Sequence, residues 1–409
     1  MTPLAQPAAV IGVPLDRVLA VGVVALGSLL VAAATVTLGY SVRAARRRRR
    51  REPMRATLRG ELLDRLYCRD GPDWAGWVAG LSGAERDELE SLLDVYLREL
   101  EGRDAAALAD LAAALGIDER SRREIADGGY WDRIHALVWL ALLRDPPDRD
   151  LLEARCTDTP RERAAAARVL YAARTDDCAT AGVDLLLRDE PASFSVFGVD
   201  TLYRVAERDP TPFFERAAAE FEGWEPALQR QVLLVVRHLT SVVGDADLSW
   251  VVGALSNPDP RVRAAAWRAL GAYGWSPRLR AAVDLDTVPG EPDPAVRASA
   301  YRALGVWGDA DATASIRAAG ARDPDARAQV AAAETLVSVR GASALGSETP
   351  PSPADGDGDI ADEDGDVAAT DGVPDFGIAW RWATEHARFD RLARDISRDR
   401  ERLREEVRR

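Results

Sequence analysis

The sequence predicts an all-α protein in which one transmembrane helix precedes an α-solenoid, that is, an α-α superhelix. Three observations predict it: an uncharged run of 23 residues near the N-terminus, a helical motif that recurs about every 34 residues, and no alternating, strand-like pattern. The composition agrees, because Ala, Leu, Arg and Glu are abundant and lose little conformational freedom in a helix.

The charged residues of this chain have an unusual distribution. The formal net charge is -14, and all 53 basic residues are Arg, since the sequence contains no Lys. An acidic composition without Lys resembles that of proteins from a halophilic archaeon; a high-GC bacterium is the alternative source. Positions 52–346 hold 35 Arg against 49 acidic residues, so we expect no nucleic-acid partner.

The uncharged run extends from Val18 to Tyr40. At 1.5 Å per residue it spans about 34 Å, enough to cross the hydrocarbon core of a bilayer. A cleaved signal peptide is the alternative, but residues 1–17 lack a basic n-region and the run is too long for an h-region. We therefore expect a retained transmembrane helix at 18–40 behind a short extracytoplasmic tail.

A dense group of arginines follows the uncharged run. Its members are Arg43, Arg46, Arg47, Arg48, Arg49, Arg50 and Arg51. Basic residues beside a membrane span remain in the cytoplasm, so the N-terminus is expected outside the cell membrane and the rest of the chain in the cytoplasm. The same side chains are candidates for binding anionic lipid headgroups; a nucleic-acid patch is the alternative that their position disfavours.

Residues 52–145 are predicted to form several helices that begin the solenoid. Ser82 and Glu85 fit a capping box at the start of one helix, whose leucines repeat along one face. The stretch from Tyr130 to Leu143 is apolar enough to be a buried helix, and two prolines follow it.

A longer motif recurs in the second half of the chain. The pattern D-P-x-V-R-A-x-A-x-R-A-L-G occurs at 259–271 and again at 293–305, and weaker copies flank the two. Spacings of 32, 34, 34, 34 and 32 residues separate the matching apolar positions, which are Leu170, Leu202, Val236, Leu270, Leu304 and Leu336. Six units are enough to stack into a continuous core over residues 146–346.

Each copy of the motif predicts one helix with defined ends. Asp259 and Asp293 are expected to cap the helix N-termini, with Pro at the first helical position, where its missing N–H donor is not needed. Gly271 and Gly305 are expected to end the helices. The alanines between them allow close approach of neighbouring helices, and a second helix, as at 310–320, completes the unit.

This pattern resembles the short HEAT repeats, an armadillo-like helical family, of phycobilisome-lyase-like proteins. The resemblance covers 146–346 and extends loosely to 104–145, although Ser195 and Gln229 stand where Arg recurs in other copies. It implies a solenoid that binds another protein. Anchored HEAT proteins resemble companions of membrane glycosyltransferases, which makes such an enzyme a candidate partner. The bilin lyase activity of some relatives is a fold-level analogy.

Arginines recur at two positions of the motif and are the candidate partner-binding residues. They are Arg163, Arg168, Arg263, Arg268, Arg297 and Arg302. The resemblance implies that this helix lines the concave face, where stacked copies would form a cationic ladder. The alternative is structural: each Arg bonds an acid of the adjacent unit, with Asp259 and Asp293 nearby.

The C-terminal part of the chain has two segments. Residues 347–375 carry ten acidic residues, four prolines and no Arg, so a disordered linker is expected. Ile360 and Asp366 stand where an EF-hand loop needs Gly and Glu, which argues against calcium. An amphipathic helix is predicted at 376–409; it could dock on the solenoid, pair with a partner or lie on the membrane.

No catalytic or metal-binding pattern appears in the sequence. The histidines have no paired spacing and the cysteines no C-x-x-C; they are His135, His238, His386, Cys68, Cys156 and Cys178. We therefore expect no enzyme, cofactor or metal, and we expect the cysteines to be small core residues. The predicted function is a membrane-tethered scaffold that binds a protein partner. The alternative is a lyase-like or enzyme-accessory protein with a small-ligand groove.

Overall fold

The computed structural model describes most of the chain. The described residues are 15–67, 72–188, 192–240, 248–340 and 375–408; within them, side chains are not described at 15–25, 39, 41–51, 340, 392–393 and 395–408. Every regular element in these ranges is a helix, which confirms the all-α class. Positions 1–14 of the predicted tail, Cys68 and positions 347–374 of the predicted linker lie outside the described residues, as do the side chains of Arg43 and 46–51.

The chain divides into two compact units, Met1–Glu119 and Arg120–Arg409. The division falls inside the 52–145 segment. The helices of the first unit are α1 Leu15–Leu66, α2 Trp74–Gly80, α3 Gly83–Glu99 and α4 Gly102–Ala114, and α5 Ile117–Asp127 spans the division.

The first unit is held together by the C-terminal turns of α1. Leu58 and Leu62 are buried there, and α1 and α4 both pack on α3. The predicted capping box is confirmed, because the Ser82 backbone N–H donates to Glu85 Oε2 at 2.8 Å and Ser82 accepts from the Glu85 backbone. Among the residues that the structure describes, no helix has both the length and the apolar character needed to cross a bilayer.

The second unit contains the repeated motif. Its helices are α6 Tyr130–Leu143, α7 Arg149–Arg155, α8 Pro160–Ala173, α9 Cys178–Leu186, α10 Val196–Arg208, α11 Thr211–Glu220, α12 Pro226–His238, α13 Ser249–Gly253, α14 Pro260–Ala272, α15 Pro277–Ala282, α16 Pro294–Trp307, α17 Ala310–Gly320, α18 Ala326–Arg340 and α19 Phe376–Arg408. The buried stretch predicted from Tyr130 to Leu143 is thus one helix.

Alternate helices of the second unit pack on one another in two rows. One row runs through α6, α8, α10, α12, α14, α16 and α18; the other includes α9, α11, α13 and α15. This arrangement is compatible with an α-solenoid. Every one of the six spaced apolar positions is buried, and Leu270 and Leu304 have no exposed surface.

Local signals in the motif explain where its helices begin. Asp259 Oδ1 accepts from the Arg261 N–H at 2.7 Å, and Asp293 Oδ1 accepts from the Ala295 N–H at 2.8 Å. Both prolines occupy the first helical turn, so both predicted caps are confirmed.

The predicted role of Gly271 and Gly305 as helix ends is wrong. Gly271 lies inside α14, and Gly305 lies inside α16, which continues to Trp307 and ends at Gly308 with φ 67°. Both glycines instead mark close approaches between helices. A Cβ atom on Gly305 would overlap Thr335 Cγ2, so the absence of a side chain lets α16 approach α18.

The last helix docks on the repeat row through its first turns. Trp380 is fully buried, and α19 packs on α18. Farther along, Phe389 is 71 % exposed. The N-terminal turns of α19 therefore pack on the repeat row, as the docking alternative predicted.

Candidate functional site

The motif has two Arg positions, and the arginines at the first of them have structural roles. They are Arg163, Arg263 and Arg297. Arg297 is buried, and its Nε and Nη2 donate to both carboxylate oxygens of Asp323 at 2.7 and 2.8 Å. Arg263 makes the same bidentate pair with Glu291 at 2.8 and 2.7 Å. Arg163 is also buried and donates to the Arg188 carbonyl at 2.7 Å. These three guanidinium groups hold neighbouring segments together and do not favour an outside ligand.

The structural alternative describes Arg263 and Arg297, each of which bonds an acid, whereas Arg163 donates to a backbone carbonyl. The acids differ from the two that the sequence analysis named. Asp259 and Asp293 cap helices, whereas the carboxylates that pair with the arginines come from Glu291 and Asp323. Both precede the next helix of the row, a place that the spacing of the motif alone does not identify.

Arg168 and Arg302 occupy the second Arg position of the motif, and each pairs with an acid on the next helix of the row. Arg168 pairs with Asp200 on α10 and also donates to Thr201. Arg302 reaches Glu334 on α18 at 3.4 Å. In both cases, the acid occupies the equivalent position 32 residues later, on the next helix of the row.

Arg268 is the exception at this position. The equivalent position on the helix before it holds Leu234, and the one on the helix after it holds Arg302, so neither neighbour offers a carboxylate. Among the described residues, no hydrogen-bond or ion-pair partner of the Arg268 side chain is present, and the side chain is exposed. In the units of Arg168 and Arg302, an acid on the next helix pairs with the Arg at this position. The guanidinium group of Arg268 has no such partner and is available to a ligand.

A groove lies beside Arg268, with a cavity volume of about 450 Å³. Its lining comes from α12, α14 and the first turn of α16: Arg230, Leu233, Leu234, Arg237, Pro260, Arg261, Ala264, Ala265, Arg268, Asp293 and Ala295. We call this surface the arginine groove. Four of its residues are Arg, and the one acid, Asp293, is already engaged as a helix cap.

The excess of arginines over acids gives the groove a positive charge. The pKa of Arg268 lies below its ordinary value, first because of desolvation and then because of repulsion from Arg237 and Arg302. Arg230 adds a buried Nε that has no hydrogen-bond acceptor among the described residues. An anion placed here would gain attraction to these groups without first breaking an ion pair.

Sequence reasoning found Arg268 but not the other groove arginines. Arg230 and Arg237 lie on α12, whose copy of the motif is degenerate and does not place Arg at the consensus positions. The sequence does contain a signal for the site. At the motif position of Arg268, the neighbouring units have Leu234 and Arg302, whereas Arg168 and Arg302 are each followed by an acid in the next unit.

The remaining candidate chemistry is dispersed. Cys156 and Cys178 are buried free thiols, as expected of small core residues, and burial raises the pKa of Cys156 to about 12. His135 and His238 are exposed on different helices. No group of side chains in the described ranges has the composition of a metal site.

Comparison with protein-family models, with characterised proteins and with solved structures finds no match to this chain.

Proposed function

We propose that the chain is a membrane-tethered scaffold of HEAT-type repeats that binds a protein partner in the cytoplasm. The observation that carries the proposal is the outward face of α12 and α14. Its side chains Arg230, Arg237 and Arg268 make no ion pair within the described residues, although the packing positions of the same helices are filled. Solenoid proteins use such extended faces for recognition.

The composition of this face supports a protein partner. Arg is enriched at protein interfaces because its guanidinium group hydrogen-bonds in a fixed geometry and also packs on apolar groups. Leu234, on the same face, is 44 % exposed and adds apolar surface that a partner could cover.

The tether rests on the first part of α1. Apolar side chains there are exposed in succession; Leu29 is 67 %, Val31 67 % and Val36 72 % exposed. A helix that is apolar on every side is suited to lipid, because water would solvate it poorly. The arginines at 43 and 46–51 follow in the same helix and support an orientation with the repeats in the cytoplasm.

Reciprocal capture tests the scaffold function. The tagged full chain would be purified from membranes in mild detergent, once at low and once at high salt, and co-purifying proteins would be identified by mass spectrometry. A tagged segment 1–52 is the control, because it shares the membrane environment but lacks the repeats. We expect one protein in near-stoichiometric amount, recovered also when that protein carries the tag. Recovery of no protein beyond the control would overturn the proposal.

A small-ligand groove is the second candidate function, and the cavity volume favours it. About 450 Å³ lies within the range of small-molecule pockets, roughly 300–1,000 Å³. Native mass spectrometry of the protein purified from its own membranes would detect a retained small molecule as added mass. An added mass that disappears in Arg268→Gln would support this candidate.

A further inference from the structure

We propose that the arginine groove binds an acidic peptide segment of the partner in which an apolar side chain lies between carboxylates. The inference rests on the proposed scaffold function and names the chemistry of the ligand. Three features of the groove support it: its charge, its apolar floor and the geometry of its hydrogen-bond donors.

Charge selects an anion. The chain as a whole has a net charge of -14, yet the groove has four arginines and a single acid. That acid, Asp293, accepts hydrogen bonds from the Ala295 and Val296 backbone N–H groups at 2.8 and 3.2 Å. The N-termini of α14 and α16 also open on the groove through Pro260 and Ala295, and helix N-termini favour negative charge.

The floor of the groove selects an apolar group within that anion. Leu233 and Ala264 are buried beneath it, while Leu234 and Ala265 remain partly exposed along its length. Small and aliphatic side chains leave room for one aliphatic side chain of a ligand to pack between the helices. A purely ionic ligand would leave this apolar surface in contact with water.

The geometry of the guanidinium N–H donors favours carboxylates that are carried by a flexible chain. Each guanidinium group offers a planar fork that matches the two oxygens of Asp or Glu. This chain itself shows the pairing, since Arg263 and Arg297 both hold carboxylates in bidentate fashion. Arg237 and Arg268 lie on adjacent helices of the row, so an extended peptide can present one carboxylate to each of them.

The binding test uses the full chain in detergent and a fluorescein-labelled peptide with the sequence of residues 355–366. That sequence has seven acidic residues around Ile360 and therefore carries both proposed features. Two analogues serve as ligand controls: one with every acid replaced by its amide, and one with Ser at the position of Ile360. Binding would be followed by fluorescence anisotropy over a range of salt concentrations.

Protein variants separate the groove from general charge. The double variant Arg237→Gln with Arg268→Gln removes two groove cations. The matched control, Arg98→Gln with Arg204→Gln, removes two exposed cations that pair with acids on their own helices. Both doubles change the net charge equally, and circular dichroism would verify that both remain folded.

We expect the wild type and the control double to bind the acidic peptide within twofold of each other. The groove double should bind at least about tenfold more weakly, because charge-assisted hydrogen bonds are lost. The amide peptide should not bind, the Ser analogue should bind more weakly, and added salt should weaken binding because it screens the charges. Unchanged binding by the groove double would overturn the inference.

Two other occupants are outcomes of the same test. If the peptide binds only after the acids at 355–366 of the protein are replaced by amides, the groove holds the chain's own segment, and the partner assignment is overturned. If a single-stranded oligonucleotide of equal charge binds more tightly than the peptide, the ligand class is wrong.

Capture of the partner distinguishes a failure of the inference from a failure of the proposed function. A partner that still co-purifies in full with the groove double would overturn the inference and leave the scaffold function standing. A wild type that captures no protein would overturn the scaffold function whatever the peptide does.

Discussion

Arg297 and Asp323 join two consecutive repeats through a buried pair with two parallel hydrogen bonds, 2.7 and 2.8 Å long. Tyr301 donates its hydroxyl to the same carboxylate at 3.0 Å, and Arg297 Nη1 donates to the Glu291 carbonyl at 2.7 Å. The guanidinium group on α16 thus binds both the segment before its own helix and the segment before α18. This pair should contribute strongly to the interface between the repeats.

Removal of one partner of this pair should be costly. Arg297→Ala leaves Asp323 buried without its counter-charge, and we expect a loss of roughly 3–5 kcal/mol in the free energy of unfolding. Arg302→Ala is the matched control, because its pair with Glu334 is exposed and should contribute about 0–1 kcal/mol. Urea unfolding followed by circular dichroism measures both. Equal losses in the two variants would show that the buried pair has no special role.

Acid should weaken the same interface. Desolvation alone would raise the pKa of Asp323, but hydrogen bonds from Arg297, the Asp325 backbone and Tyr301 outweigh it, and the pKa is lowered. A lowered folded-state pKa stabilises the protein at pH values above the unfolded pKa, about 3.9. That stability is lost as the pH falls from there through the folded-state pKa.

The acid effect is tested by measuring the free energy of unfolding between pH 2 and pH 6. The wild type should lose more stability on acidification than Asp323→Asn, which has no carboxyl group to protonate at this position. Identical pH profiles of the two proteins would contradict the assigned role of Asp323.

Leu270 should be a core residue of the repeat row. It has no exposed surface, so Leu270→Ala should create a cavity and destabilise the protein by roughly 2–5 kcal/mol. Leu234→Ala is the control, because this side chain is 44 % exposed and its loss should change stability by about 0.5 kcal/mol or less. A change below about 0.5 kcal/mol for Leu270→Ala would mean that the register of the repeats is wrong.

Gly305 should tolerate no side chain. In Gly305→Ala the new Cβ would overlap Thr335 Cγ2, forcing α16 and α18 apart, and we expect a loss of roughly 1–3 kcal/mol. Adding Thr335→Ser removes the clashing methyl group and should restore part of the stability. Gly253→Ala is the control, since open space surrounds that position and the replacement should be neutral or stabilising. Thermal unfolding of the wild type, the two single variants and the double variant would measure these changes in stability. If Thr335→Ser restored no stability to Gly305→Ala, the close contact would be contradicted.

The proposed topology predicts that the repeats are protected from outside the cell. Protease added to intact cells should leave residues 146–346 undigested, because the arginines at 43 and 46–51 retain the chain that follows in the cytoplasm. The same protease added to permeabilised cells is the control and should digest the repeats. Digestion in intact cells would reverse the proposed orientation.

The sequence by itself determined where the helices of the two clear motif copies begin and the register of the repeats. Asp259 and Asp293 precede Pro at a fixed spacing, and capping is a local interaction that needs only the residues of its own turn. The burial of Leu270 and Leu304 also followed, because a regular period places equivalent side chains against the same neighbours. These features depend on residues near one another in the chain.

Only the tertiary structure decided how the arginines and glycines are used. Gly305 had the spacing of a helix end but proved to be a contact point with Thr335 on α18. Arg302 and Arg268 occupy the same position of the motif, yet Glu334 pairs with the first and no described acid pairs with the second. The reason is physical: the partner of a guanidinium group is set by the side chain that packing places within about 3 Å of it, here from another repeat. The motif that defines the repeat does not specify that side chain.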